Sequence, residues 1–82
     1  DQEYTDARYN LAFALLAQKN YKDAVPHLVI LRDQRLTDRA FQSSVYDGLA
    51  EAYESQNNWA QAIGAYKKVS DLNPTDPAAR FN

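Results

Sequence analysis

Apolar residues recur along this chain at intervals of three and four, and no β-branched run alternates with polar positions. That pattern predicts helices and no strands. The first helix is expected over roughly Glu3 to Gln18, with Leu11 and Leu15 on one face. The second, over Lys22 to Arg35, sets Ala24, Leu28 and Leu31 together. The third, over Asp38 to Gln56, aligns Tyr46, Leu49, Ala50 and Tyr53, and the fourth, over Ala60 to Leu72, aligns Ala62, Ile63, Tyr66 and Val69. Thr-Asp pairs at Thr5–Asp6, Thr37–Asp38 and Thr75–Asp76 each stand near the start of an expected helix. There a side-chain oxygen can accept from the unpaired N–H groups of the first turn. Pro74 ends the fourth helix, and Pro77 just after Asp76 suits the first turn of another. The links through Lys19–Asn20 and Asn57–Asn58 are short, so joined helices must be antiparallel neighbours. Pro26 lies a few positions into the second helix, which is expected to start late or bend there.

The chain also repeats itself. "QKNYKDAV" at residues 18–25 returns as "QNNWAQAI" at residues 56–63, an offset of 38. The same offset pairs Leu11 with Leu49, Ala12 with Ala50, Tyr21 with Trp59, Ala24 with Ala62, Val25 with Ile63, Leu28 with Tyr66 and Leu31 with Val69. Self-similarity of this length marks a repeat architecture, in which each helix hairpin buries its apolar face on its neighbours. The four alanines are expected where backbones cross closely.

The second copy reads Tyr46-x2-Leu49-Ala50-x2-Tyr53, then Ala62-x3-Tyr66, then Pro74. In these slots the sequence resembles the tetratricopeptide repeat, whose unit of about 34 residues fits residues 43–76. In the first copy, about residues 5–38, Arg8, Leu15, Leu28 and Leu36 replace the aromatic, tyrosine, aromatic and proline of that pattern. "ARFN" at 79–82 echoes "ARYN" at 7–10, so a third repeat is expected to open at 77–82. The resemblance implies an all-α fold, a right-handed α–α superhelix of helix-turn-helix repeats, as one domain over 1–82. The offset exceeds 34 by about one helical turn. The third helix is therefore expected to extend backwards, with Ala40 and Phe41 covering Val29 and Ile30.

Bulk properties narrow the function. The chain has 82 residues, 45% of them hydrophobic and 24% charged, which suits one small folded domain. A net charge of −2 argues against nucleic acid, including RNA-binding helical repeats of similar period, because displacing counterions needs a basic face. There are no cysteines, so disulfides and thiolate metal sites are excluded. The longest apolar run, Leu11 to Ala17, is far short of the roughly 20 residues of a membrane span. No targeting segment is visible, and a start at Asp1 suggests a fragment of a longer protein, which leaves localisation open. His27, the single histidine, fits a packed or edge position. Glu51 and Glu54 share one helix with nothing to separate their pKa values, and Ser43 and Ser44 have no basic partner in view. No enzyme, cofactor or metal site is expected.

The resemblance implies that first helices of successive hairpins line a concave groove for a peptide or a partner's helix. Helical spacing places Tyr9, Phe13 and Leu16 on that face in the first copy and Asp47, Glu51 and Glu54 in the same slots of the second. Asn10 occupies a slot where the family often contacts a peptide backbone. The slots in which one branch of the family clamps a carboxylate hold Tyr9, Phe13 and Gly48 here, so that activity is not expected. The expected function is a protein–protein interaction module, a scaffold or adaptor in a larger assembly factor. Its partner would be a protein or peptide with apolar residues beside Lys or Arg. The alternative is a structural module whose apolar stripe and open end pack on further repeats or another copy. Two repeats fall below the usual minimum of about three, which favours such a contact.

Overall fold

The structure is a computed structural model, and it describes residues 2–34 and 38–72, with side chains from Tyr4 onward. Its elements are four helices, α1 (Gln2–Ala17), α2 (Tyr21–Asp33), α3 (Arg39–Ser55) and α4 (Trp59–Leu72). No strand occurs among the described residues. The expected capping pair Thr75–Asp76, Pro74, Pro77 and the opening of a third repeat lie outside them.

The helices form two antiparallel hairpins. Thr5, inside α1, donates from Oγ1 to Oε1 of Gln34 at the end of α2, 3.2 Å away. Arg8 donates to Nδ1 of His27 at 3.1 Å, a second side-chain bond between α1 and α2. α3 then packs against α2 and α4, and touches α1 more lightly. The arrangement is that of an all-α repeat solenoid.

Each hairpin turns through the same device. Lys19 and Asn57 both have φ 61°, the left-handed region. After α1, Asn20 N–H donates to Leu15 C=O at 2.8 Å and Lys19 N–H to Leu16 C=O at 2.9 Å. After α3, Asn58 N–H donates to Tyr53 C=O at 2.8 Å and Asn57 N–H to Glu54 C=O at 3.0 Å. This pair of bonds, six-to-one and five-to-two, is the Schellman motif, and it satisfies carbonyls that a helix end leaves unpaired. The repeated phrase in the sequence is therefore a repeated turn.

Three expectations about helix starts are corrected or sharpened. α2 begins at Tyr21, ahead of Pro26, so the late start does not occur. Pro26 sits inside the helix with its ring exposed. Thr5 and Asp6 lie within α1 rather than at its start, and Thr5 is buried against Gln34. Asp38 does cap α3, accepting from Phe41 N–H at 3.1 Å. α3 thus starts four residues ahead of Ser43, the backward extension expected from the offset.

The core consists of Ala12 and Leu16 of α1, Ala24, Leu28 and Leu31 of α2, Val45, Leu49, Ala50 and Ala52 of α3, and Ala65 of α4. Ala12, Ala24, Ala50 and Ala62 are all buried, as close helix crossings require. Two assigned faces are wrong. Leu11 is 47% exposed, because α1 turns Ala12 and Leu16 inward instead. Ile63 and Tyr66 are exposed as well, since α4 is the last described helix and nothing among the described residues covers that side. Nor do Ala40 and Phe41 cover Ile30. Ala40 and Ile30 stay exposed, while Phe41 turns onto α1.

Candidate functional site

The face built from α1 and α3 is where the groove residues were expected, and it divides them into three groups. Leu16 belongs to the core. Its side chain is 7% exposed, and a Cβ built on Gly48 would come within 3.0 Å of Leu16 Cδ1. The same Cβ would lie 3.3 Å from Phe13 Cζ and 3.4 Å from Leu28 Cδ2. A glycine at position 48 therefore lets α3 approach α1 and α2 closely, and Leu16 fills the space it leaves.

Tyr9 and Phe13 are half-buried and form an aromatic cluster. Their ring centroids lie 4.5 Å apart, and Tyr9 also packs on Phe41 at 4.4 Å, both pairs tilted. Such pairs contribute about 0.5–1.5 kcal/mol beyond the area they bury. These rings join α1 to α3 rather than standing open in a groove. Phe41 is the residue that sequence reasoning placed elsewhere, and its signal was the turn of helix added before Ser43.

Asn10, Asp47, Glu51 and Glu54 are exposed. Among the described residues none of the three carboxylates is in an ion pair, whereas Arg32 pairs with Asp33. Glu54 instead accepts from the Tyr66 hydroxyl at 3.2 Å. The Tyr66 phenol is held above its ordinary value, first by burial, then by the bond to Glu54 and by the charges of Glu54, Asp47 and Glu51. The acidic row and the exposed side of α4 are thus one electrostatic surface.

Little else has the form of a reactive site. Recesses of about 240 and 260 Å³ flank α3 near Arg32 and Tyr46, small beside the roughly 300–1,000 Å³ of ligand pockets. Among the described residues no group of three or more His, Cys, Asp or Glu is placed to hold a metal ion. None of the helices there is long and apolar enough to cross a membrane.

No curated protein and no solved structure matches the chain significantly. The family model of the tetratricopeptide repeat matches residues 3–74, spanning all four helices and both Schellman turns. With that match and this architecture, the chain belongs to the tetratricopeptide repeat family.

Proposed function

We propose that the chain is a protein–protein interaction module whose α1–α3 face receives a partner segment with apolar residues beside Lys or Arg. Tetratricopeptide repeats generally mediate protein contacts and are typically non-catalytic. The observation that carries the chemistry of the partner is the row Asp47, Glu51 and Glu54, three exposed carboxylates unpaired by any basic side chain among the described residues. Like charges four apart on a helix cost roughly 0.2–0.5 kcal/mol per pair, so the row works against local stability. A basic partner would offset that cost. Asn10, exposed on α1, offers an amide to a peptide backbone, while Tyr9 and Phe13 present their partly exposed rings as the apolar flank. Leu16 has no part in this surface. A role in a larger assembly factor fits a module of this kind.

The test uses a labelled helical peptide of Leu and Lys and its Leu–Glu counterpart, followed by fluorescence anisotropy at several salt concentrations. The Lys peptide should bind, weaken as salt rises, and lose at least about tenfold in affinity with Asp47→Asn, Glu51→Gln and Glu54→Gln combined. Equal binding of both peptides, or an unchanged affinity in the triple variant, would sink the proposal.

A further inference from the structure

α3 carries a second polar stripe, apart from its acidic row. Gln42, Tyr46 and Tyr53 lie at i, i+4 and i+11, on one face of the helix, and they open on the two recesses that flank it. Both recesses are bordered by Arg32 from α2 and Lys68 from α4, and both share Tyr46, so the two adjoin. No Asp or Glu lines either one. In a chain of net charge −2, this lining has the opposite sign. Its floor is apolar: Leu31 and Val45 line the first recess, Leu49 and Ala65 the second, and all four are buried. A cleft with one sign of charge over low-dielectric walls focuses its field on whatever enters. The donors are also unspent. Arg32 Nε donates to Asp33 at 3.0 Å, which leaves Nη1 and Nη2 unengaged among the described residues. The side chains of Lys68, Tyr46, Tyr53, Gln42 and Gln61 make no hydrogen bond among those residues either. The repeat pattern does not call for these cations, since the slots matching Arg32 and Lys68 in the other copy hold Ser70 and Ile30.

We propose that the joined recess between α2 and α4 receives a phosphotyrosine side chain of a partner protein. Its donors come from three helices: Arg32 of α2, the phenols and Gln42 of α3, and Lys68 of α4. A planar carboxylate offers two oxygens. A phosphoryl group offers three at tetrahedral angles and carries about −1.5 to −2 charges at neutral pH, a match for two cations. The terminal N–H groups of the guanidinium can take two of those oxygens, and the lysine can serve the third as a point charge. The apolar floor selects among phosphorylated side chains. Phosphoserine holds its phosphate one carbon from the backbone and has no stem to lay on Leu31, Val45 or Leu49. Phosphotyrosine has an aromatic stem that can cover them while its phosphate reaches the rim. Volumes of about 240 and 260 Å³ suit a single side chain rather than a drug-sized ligand. The inference does not rest on the peptide-binding reading, which concerns the α1–α3 face and a ligand of opposite charge.

The experiment titrates N-acetyl-phosphotyrosine amide into the full, isotope-labelled chain and follows its amide signals by NMR. Wild type should show saturable shifts at the side-chain amides of Gln42 and Gln61 and around Arg32 and Lys68, with an affinity that falls as salt rises. Lys68→Gln combined with Arg32→Gln should weaken binding at least about tenfold. Lys67→Gln, next in sequence but outside the lining, should leave it within about twofold. All three positions are exposed, so melting temperatures should not change. N-acetyl-tyrosine amide should not bind, and the phosphoserine amide and inorganic phosphate should each bind at least about tenfold more weakly than phosphotyrosine. Equal binding of either of these two anions would make the aromatic stem irrelevant and overturn the proposal. A loss in Lys67→Gln as large as in Lys68→Gln would reduce the effect to diffuse charge attraction and overturn it equally. So would the absence of any saturable shift at millimolar ligand, or shifts centred on the α1–α3 face.

Discussion

The two hairpins share a phrase, a turn and a set of alanines, yet they bury their matching side chains to different depths. Leu49 is enclosed by α2 and α4 while Leu11 faces outward, and Leu28 is enclosed by α3 while Tyr66 is open. The residues at each pair are similar, so the difference lies in what stands beside them. In a stacked architecture burial is a property of neighbours, and a helix face is core or surface according to whether the next hairpin is present. A residue's identity alone does not settle which it is.

The largest effect should come from the leucines themselves. Leu49→Ala should lower stability by roughly 2–5 kcal/mol, the range for emptying a closed site. Leu11→Ala, at a half-open site, should cost less than about 1 kcal/mol in the monomeric chain. Urea melts of the two variants measure this contrast, and equal losses would erase the distinction between the hairpins.

The glycines make a second pair with opposite signs. A side chain at position 48 would crowd Leu16 and Phe13, whereas one at position 64 meets nothing within 4 Å. Gly48→Val should destabilise by roughly 1–3 kcal/mol through overpacking. Gly64→Ala should stabilise by about 0.5–1 kcal/mol through helix propensity. Thermal melts moving in the same direction for both would show that the seam between α1 and α3 is looser than described.

The smallest contrast lies in the turns, where the geometry matches and the residues differ. A left-handed backbone costs a side-chain-bearing residue about 1–2 kcal/mol, and asparagine bears it better than lysine. Lys19→Gly should therefore gain about 0.5–1 kcal/mol, and Asn57→Gly less. If neither change raises the melting temperature, the shared φ of the two turns is not a source of strain.

Much of the fold was legible from periodicity and from the repeated phrase. The helix count, the antiparallel hairpins, the cap at Asp38 and the buried alanines follow from local chemistry that acts within a few residues. The candidate surface was legible only in part. Asp47, Glu51 and Glu54 stand out because no apolar neighbour competes for a charged face. Tyr9, Phe13 and Leu16 share one helical stripe, but Leu16 sits deeper because Gly48 lets α3 close on that end of α1. Tyr9 meets Phe41 across a gap of more than about thirty residues in sequence, a distance at which periodicity carries no information. Leu11 misled for the same reason, since its slot is core only when another helix lies against it.

The matched turns at Lys19 and Asn57 also bear on how the chain finds its fold. Each closes with two backbone bonds that span no more than six residues, from Leu15 to Asn20 and from Tyr53 to Asn58. Contacts that local can form about as fast as helices do, on the order of 0.1–1 μs. The seam between α2 and α3 has to wait for two formed hairpins. Folding thus has two equivalent places to begin and one slower step that joins them. An array extended with further hairpins of this kind would gain starting points faster than it gained obstacles.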